Sequence, residues 1–207
     1  MKPIKYVCFG RSVISIAMRA GWKPGARYTN LRDCRHVGGP EFLDIDFRSY
    51  DFRTHLEVTS IVRPKLTIAR DVFEMASLHS TIDQGYQLLE FSEKVAIVPK
   101  DVQLASSLEA SIPKDFIFGY SVPTRYGGTD IPMSCFRREV HLLGGRPDTQ
   151  YQLSKSLNVV SLDCNRFAFD ARFGDYFDGE TFRPHAEGGY ENCIEASISN
   201  INKLWAS

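Results

Sequence analysis

Short apolar runs recur along the chain, and most of them are followed by a segment whose apolar positions have helical spacing. Several runs are nearly continuous rather than alternating, for example KVAIV at 94–98 and NVVSL at 158–162. Continuous runs are typical of parallel strands that helices bury on both faces. The pattern therefore predicts repeated strand–helix units around a parallel sheet.

The same pattern gives the positions of the elements. The strands are predicted at 6–10, 42–47, 65–69, 95–98, 116–120, 140–143 and 159–162. The helices are predicted at 11–20, 55–62, 78–91, 102–111, 149–157 and 190–205. Three irregular regions, 21–41, 123–139 and 164–189, are expected to form loops that cover a site.

An α/β chain of this kind folds either as an open doubly wound sheet or as a closed barrel. Polar residues follow many of the predicted strands, including Asp46, Asp71 and Asp163, whereas an open sheet would concentrate them at one switch point. We therefore expect a compact or incomplete TIM-type (β/α)8 barrel. The 207 residues are close to the minimum for such a barrel, about 200 residues, and are expected to form a single domain.

Composition restricts the function only loosely. The chain has 25 Lys and Arg against 25 Asp and Glu, so nucleic-acid binding would need a local basic patch. The five cysteines are scattered without a CxxC pair, and the five histidines do not cluster, so we expect reduced thiols and no metal or other cofactor. No apolar segment approaches about 20 residues and no secretion signal is recognisable, which favours a cytoplasmic protein that does not contact a membrane.

Three aspartates at predicted strand ends are the strongest candidates for chemistry. Asp163 directly follows a strand in VVSLDCNRF, where a rigidly held carboxylate suits nucleophilic attack; helix capping, or pairing with Arg166 or Arg172, explains this segment equally well. Asp71 in LTIARDVFE and Asp46 in FLDIDFRSYD repeat the pattern, with local capping as the alternative. Two carboxylates at a glycosidic carbon allow one to attack the anomeric carbon while the other moves a proton.

Two glycine-containing segments follow later strands. GYSVPTRYGGTDIP at 119–132 suits a loop that presents backbone NH groups to a flat polar ligand, although a tight turn at Gly127 and Gly128 explains the same residues. HLLGGRP at 141–147 lacks both the P-loop lysine pattern and GxGxxG, which argues against a nucleoside triphosphate site. His141 lies within an apolar strand and is interpreted as a hydrogen-bonded core residue.

The segment 140–174, VHLLGGRPDTQYQLSKSLNVVSLDCNRFAFDARFG, resembles the C-terminal part of tRNA-guanine transglycosylases. In that family a strand ending in a HLLGxGxP-like turn precedes a helix and a strand ending in FDCxxPTRxAR.G, and HLLGGRP, SLDCNRF and DARFG match in order and spacing. Upstream, FIFGYSVPTRYGG resembles the family's GYxxGGLxxGE turn, and HLEVTSIVRPKLTIARDVFE resembles its helix–strand segment ending in DE. The resemblance covers roughly residues 40–175.

The resemblance implies a TIM barrel in which an aspartate attacks C1′ of a guanosine, expels guanine and forms a covalent glycosyl-enzyme, which a 7-deazaguanine base then attacks. It implies Asp163 as the nucleophile, Asp71 as the carboxylate that recognises the base edge and Asp46 as the general acid/base. The residues implied in base binding are Gly119, Tyr120, Ser121, Gly144 and Gly145, and those implied in nucleic-acid binding are Arg125, Arg146, Arg166 and Arg172.

The sequence also departs from that family. It cannot build the CxCxxC…H zinc site, and the DSGGFQ segment of the tRNA enzymes is absent. A short chain without the zinc site resembles the divergent phage and bacterial relatives that install 7-deazaguanines in DNA, so DNA is favoured over tRNA, in the host cytoplasm if a phage encodes the protein. Chemistry on a duplex base requires taking that base out of the stack. Loop arginines, with Arg137 and Arg138 among them, are expected to grip the backbone from the same rim.

Two other interpretations stay open. One is an N-glycosidase that uses water as the acceptor, and the other is a non-catalytic barrel that recognises a modified base or supports a partner subunit. A homo-oligomer is also left open. If the resemblance holds, the carboxylates of Asp163 and Asp71 face one cleft beside Gly119.

Overall fold

The computed structural model of the chain describes residues 2–125 and 127–206. Eight strands, β1 to β8 in chain order, form a closed barrel. Their bounds are Ile4–Val7, Lys23–Arg27, Phe42–Asp44, Leu66–Ile68, Lys94–Ile97, Ile117–Ser121, Glu139–Leu143 and Asn158–Asp163. The expected TIM-type barrel is confirmed, and its ring of strands is closed.

Every strand of the barrel pairs in parallel with the next one along the chain, and β8 pairs in parallel with β1 to close the ring. The closing register places Ile4 beside Ser161 and Tyr6 beside Asp163. The carboxyl ends of all eight strands therefore meet at one rim, where barrel enzymes carry their active sites.

Within the described residues, seven α-helices, α1 to α7, accompany the strands. Their bounds are Arg11–Arg19, Phe52–Val62, Met75–Leu89, Leu108–Ser111, Pro147–Leu153, Arg166–Asp170 and Tyr190–Leu204. Among the described residues, the connection from β2 to β3 holds only the 3-10 helix Arg32–Val37, and that from β6 to β7 only the 3-10 turn Met133–Cys135. The ring of strands therefore closes although two of its connections contain no α-helix in the described residues.

One barrel strand lies in a region predicted to be a loop. The prediction placed 21–41 among the irregular segments, but Lys23–Arg27 forms β2. The sequence KPGAR contains Pro24 and Gly25, which normally indicate a turn. Gly25 is required by packing, since a Cβ there would lie 2.4 Å from Cys8 Sγ and 2.9 Å from a ring carbon of Phe42. Close approach across the barrel, rather than a turn, explains this glycine.

Two other predicted segments differ in detail. The helix predicted at 102–111 is a 3-10 turn, Val102–Leu104, followed by α4, because the chain bends between them. The irregular region 164–189 contains α6 and a small antiparallel hairpin of β9 (Asp175–Phe177) and β10 (Phe182–Pro184). All five cysteines are free thiols, as expected. Within the part of the chain that the structure describes, no helix is long and apolar enough to cross a membrane.

The core has two layers. Most buried apolar side chains lie between the barrel and its helices, with Ile14, Leu88 and Ile198 as examples. Inside the barrel, Tyr6 and Phe42 stack with ring centroids 5.0 Å apart, and both pack against His141. These rings fill the interior, so the polar side chains above them are held at the rim.

Candidate active site

Three connected clefts open at the carboxyl ends of the strands. The central cleft has a volume of about 430 Å³, the side cleft about 440 Å³ and the arginine groove about 700 Å³. The central cleft is lined by Arg27, Asp44, Ile45, Phe47, Ile68, Asp71, Phe73, Lys100, Ser121, Val122, Thr124, Gly127, Gly128, Leu143, Gly144, Gly145 and Asp163. The side cleft is lined by Cys8, Phe9, Gly10, Gly25, Ala26, Arg27, Asn30, Asp33, Asp44, Asn165, Phe169 and Arg172. The arginine groove is lined by Pro123, Thr124, Arg125, Gly144, Gly145, Arg146, Thr149, Asn165, Arg166 and Phe169.

Asp163 lies at the end of β8 and is only 5% exposed. Its Oδ1 accepts a hydrogen bond from the Gly144 backbone N–H at 2.9 Å, and its Oδ2 accepts one from the Asn165 side-chain amide at 3.1 Å. Arg166, one of the two arginines considered as a partner, pairs with Asp170. Two neutral donors therefore orient this carboxylate without neutralising its charge.

Two further amides fix the surroundings of Asp163. Gln150, buried on α5, donates from Nε2 to the carbonyl oxygens of both Gly144 and Asp163, each at 2.7 Å. The Asn165 side-chain oxygen accepts the backbone N–H of Cys8 at 2.8 Å, which ties the end of β8 to β1. Neither amide was predicted from the sequence, since an Asn two residues after a strand and a Gln on a helix carry no motif.

His141 lies directly beneath Asp163 and is fully buried. Its Nδ1 is 2.8 Å from Ser161 Oγ, which agrees with the interpretation as a hydrogen-bonded core residue. Its Nε2 is 3.8 Å from Asp163 Oδ1 and has no hydrogen-bond partner among residues 2–125 and 127–206. A buried polar atom thus lies beneath the central cleft, 3.8 Å from the candidate nucleophile.

Asp44, at the end of β3, lines both the central and the side cleft. Burial and the negative charge of Asp163 raise the pKa of its carboxyl to about 7, against the opposing effects of the Ile45 backbone N–H and Arg27. This carboxyl therefore keeps its proton to a higher pH than a carboxyl in water does. A group that gives and takes a proton at neutral pH is what general acid–base catalysis needs.

Asp46, which the resemblance implied as the acid/base, does not line the central cleft. Its side chain accepts the backbone N–H of Arg48 at 3.2 Å, and its carbonyl accepts that of Ser49 at 3.3 Å. The local-capping alternative is therefore the one that the structure shows. The strand predicted to reach residue 47 ends at Asp44. In the segment that follows, Ile45 and Phe47 line the central cleft, but Asp46 does not.

Asp71 lines the same central cleft as Asp163, as the resemblance requires. Its Oδ2 is 3.1 Å from Lys100 Nζ, and the same ammonium donates to Ser121 Oγ at 3.0 Å. Burial raises the pKa of the Asp71 carboxyl, and Lys100 opposes that effect. A carboxylate, an ammonium and a hydroxyl thus form one polar wall of the cleft.

The β6 residues implied in base binding separate by strand alternation. Ser121 lines the central cleft, but Gly119 lies deeper in the barrel, where a Cβ would come within 2.5 Å of Val98. Tyr120 points outward and packs edge-to-face against Phe136, with centroids 5.0 Å apart. Since Tyr120 is 3% exposed on the helix-covered side, its expected place beside a base is not what the structure shows.

Gly144 and Gly145 line the cleft, as the resemblance implied for a base site, and both have positive φ, at 62° and 87°. A Cβ on Gly145 would lie 2.5 Å from Val122, so this turn requires glycine. In the loop after β6, Thr124 and Gly127 exchange two backbone hydrogen bonds. The tight-turn alternative for that loop is therefore correct, although Gly127 and Gly128 still border the cleft.

The predicted nucleic-acid contacts lie around the rim. Arg125, Arg146 and Arg166 line the arginine groove, and Arg172 lines the side cleft. Arg27, missed because β2 was not predicted, lies between the central and side clefts.

Arg137 and Arg138 were predicted on the same rim but lie at its opposite end. They precede β7, so they belong to the amino-terminal end of the barrel. Arg138 pairs there with Glu109 at 2.8 Å and donates to the carbonyl of Pro113. The basic patch is therefore smaller than the sequence analysis expected.

In the part of the chain that is described, no group of three or more His, Cys, Asp or Glu side chains is arranged to hold a metal ion.

Comparison with known proteins identifies the family of the chain but not its reaction. No curated protein matches the sequence. The profile of one family, described as "Family of unknown function (DUF6610)", matches residues 17–206. The chain therefore belongs to the DUF6610 family.

Proposed function

We propose that this protein is a base-exchange glycosyltransferase that replaces guanine in DNA with a 7-deazaguanine derivative through a covalent aspartyl-glycosyl intermediate. The observation that carries the proposal is the pair Asp163 and Asp44, which line one cleft in different environments. Asp163 is oriented by two neutral donors, whereas the pKa of Asp44 is raised to about 7. Carboxyl groups in contrasting environments divide the roles of nucleophile and acid/base in glycosyl transfer.

In the first step, a carboxylate oxygen of Asp163 attacks C1′ of the target nucleotide. The bond from C1′ to guanine N9 breaks with its electron pair going to the base, and the protonated Asp44 carboxyl supplies the proton that neutralises the departing guanine. The product is a glycosyl ester on Asp163.

In the second step, N9 of the incoming 7-deazaguanine attacks C1′ and displaces the Asp163 carboxylate. The Asp44 carboxylate takes the proton that N9 loses, which returns both residues to their starting states. Two inversions at C1′ retain the configuration.

The polar wall opposite Asp163 fits the guanine edge. A carboxylate accepts from the N1–H and the 2-amino group, and a neighbouring donor meets O6. Asp71 supplies the acceptor, while Lys100 and Ser121 supply the donors. Lys100 Nζ lies 3.1 Å from Asp71 Oδ2 and 3.0 Å from Ser121 Oγ. Guanine and 7-deazaguanine share this edge, so one wall serves both steps.

The sequence resemblance supports the same reaction and favours DNA. The segments HLLGGRP and SLDCNRF, matched in order and spacing to the transglycosylase family, contribute Gly144 and Asp163, which are hydrogen-bonded to each other. The match of the two segments is an observation on the sequence, and the contact between Gly144 and Asp163 is an observation on the structure, so the two are independent. Together they favour glycosyl transfer over a merely structural role for Asp163.

The proposal is tested by trapping the intermediate. The protein is incubated with guanine-containing oligodeoxynucleotides, with and without 7-deazaguanine, and examined for a denaturation-resistant complex and for exchange of labelled guanine. Asp163→Asn is expected to form no complex, while the control Asp83→Asn, at an exposed position of α3, is expected to behave like the parent. Absence of both adduct and exchange in the parent would overturn the proposal, and abasic sites without exchange would favour the N-glycosidase interpretation.

A further inference from the structure

The arginine groove runs from the central cleft along the loops that follow β6, β7 and β8. It shares Thr124, Gly144 and Gly145 with the central cleft. Three arginines line it, and none of the described lining residues is acidic. A ligand in the central cleft that continues beyond it therefore enters a groove suited to anions.

Two of the groove's arginines are held in place by the protein. Arg146 pairs with Asp148 at 2.9 Å, and Arg166 makes two hydrogen bonds to Asp170 at 2.6 and 2.7 Å. Both guanidinium groups also lie over the Phe182 ring, 5.3 and 6.0 Å from its centroid.

Fixed guanidinium groups lose little conformational entropy when they bind phosphate. Their aspartate partners, however, offset much of the positive charge. Electrostatic attraction alone therefore gives this groove only modest affinity, and a tightly bound ligand must gain free energy from another contact.

Phe169 provides such a contact at the junction of the arginine groove and the side cleft. Its side chain is 48% exposed, although it is packed edge-to-face against Phe9 with centroids 5.0 Å apart. The guanidinium of Arg172 lies 5.5 Å from the Phe169 centroid and holds the ring from another side. An aromatic ring that is fixed on two sides and still half exposed is a ready platform for a flat ligand.

We propose that the arginine groove and Phe169 bind a single DNA strand next to the reacting nucleotide, with phosphodiester groups along the arginines and one unpaired base stacked on Phe169. This inference rests on the proposed action on DNA and adds the form of the substrate. A base within a duplex has both faces covered by its neighbours, so an exposed ring can stack only on a base that is unpaired or extruded. The protein is accordingly expected to prefer single-stranded DNA.

The test is fluorescence anisotropy with a labelled single-stranded oligodeoxynucleotide and its duplex, over a range of salt concentrations. Phe169→Ala is expected to raise the Kd for the single strand about ten-fold, the equivalent of one stacked base, without changing the salt dependence. Arg125→Ala is expected to lower the slope of log Kd against log salt by about 0.7, as the loss of one phosphate contact on a single strand would. Stacking and phosphate binding therefore leave different signatures.

Matched variants and probes make the test decisive. Phe173→Ala, which removes a ring that is 83% exposed but does not line the groove, is expected to leave the Kd unchanged. Replacing successive nucleotides by abasic sites is expected to reveal one position whose loss weakens the parent and not Phe169→Ala. Equal losses in the two phenylalanine variants, or tighter binding to the duplex, would overturn the inference.

The outcome is separable from that of the proposed reaction. Binding is measured with Asp163→Asn, which cannot form the glycosyl ester, so it does not depend on turnover. Selective single-strand binding without adduct formation by the parent would retain this groove while refuting the glycosyl transfer. Adduct formation without an effect of Phe169→Ala on binding would do the reverse.

Discussion

Two regions of the molecule bury polar side chains, and they differ in how completely hydrogen bonds satisfy the buried polar atoms. In the His55 pocket, between α2 and the barrel, Nε2 of His55 is 2.8 Å from Thr67 Oγ1 and Nδ1 is 3.3 Å from Tyr50 OH. Thr67 Oγ1 in turn donates to the Leu43 carbonyl at 3.2 Å, and the Tyr28 ring stacks on the imidazole at 4.9 Å. Every polar atom of this histidine has a partner.

At the barrel mouth, by contrast, some buried polar atoms have no hydrogen-bond partner. Within the described residues, His141 Nε2 and Gln150 Oε1 are buried without hydrogen-bond partners. Asp44 and Asp163 line one cleft and repel each other, which contributes to the raised pKa of Asp44. Buried polar groups without partners cost stability. The satisfied network around His55 therefore supports the fold, whereas the arrangement around Asp163 and Asp44 lowers the stability of the barrel mouth.

The largest expected effect is the loss of activity caused by a substitution at the barrel mouth. Asp163→Asn keeps an acceptor for the Gly144 N–H but removes the nucleophile, so adduct formation and base exchange should fall by about 10⁴-fold or more. Its melting temperature should remain within a few degrees of the parent value. A variant that exchanges base at the parental rate would show that the mouth is not catalytic through this carboxylate.

The reciprocal change in the His55 pocket should affect stability alone. His55→Leu leaves Thr67 and Tyr50 without their partner and should lower the free energy of unfolding by about 2–4 kcal/mol in denaturant titration. Base exchange by the folded fraction should be unchanged. His79→Leu, at a largely exposed position of α3, is the control and should change stability by no more than about 0.5 kcal/mol.

The pH dependence of stability should differ in sign between the two regions. Burial lowers the pKa of His55 to about 4 from its usual 6.5, so the unfolded chain binds a proton that the folded protein does not. The free energy of unfolding should therefore fall as the pH drops from about 6.5 toward 4, by up to about 3 kcal/mol. Denaturant titrations of the parent and His55→Leu should differ less at pH 4 than at pH 7. A constant difference would mean that the imidazole is not held neutral.

Asp44 should give the opposite trend. Because its pKa is raised to about 7, the folded protein binds a proton that the unfolded chain releases, and stability should fall as the pH rises from about 4 through 7. Asp44→Asn should remove this loss and stabilise the protein by about 1 kcal/mol or more at pH 8. The His55 and Asp44 effects oppose each other over pH 4 to 6.5, so each is measured as a difference between parent and variant. An Asp44→Asn variant that is less stable at pH 8 would contradict the repulsion at the mouth.

The barrel and the positions of two candidate carboxylates were predictable because both follow from local pattern. Nearly continuous apolar runs indicated buried parallel strands, and Asp163 and Asp71 directly follow two of them. Parallel strands bring their carboxyl ends to one rim, so these side chains could be expected to meet. Strand alternation, applied to β6, would also have separated Ser121 from Tyr120.

The remaining features depend on contacts between distant parts of the chain. Asp44 and Asp46 have the same parity, so only the end of β3 decides which of them reaches the cleft. Arg27 was not predicted because β2 contains a proline and a glycine, which normally indicate a turn, and packing against Cys8 and Phe42 is what requires the glycine. Asn165 links Asp163 to Cys8, which is 157 positions away from it in the sequence. No local pattern carries that information.

The pairing of β8 with β1 has a consequence for the order in which the protein folds. The strand that carries Asp163, β8, pairs with β7 on one side and with β1 on the other. The Cys8–Asn165 hydrogen bond joins the chain just beyond the ends of β1 and β8. Contacts between such distant residues form late, because loop closure must precede them. A partly folded chain with an open ring of strands therefore lacks the Cys8–Asn165 bond, so the Asn165 amide that holds one oxygen of Asp163 is not yet fixed in place.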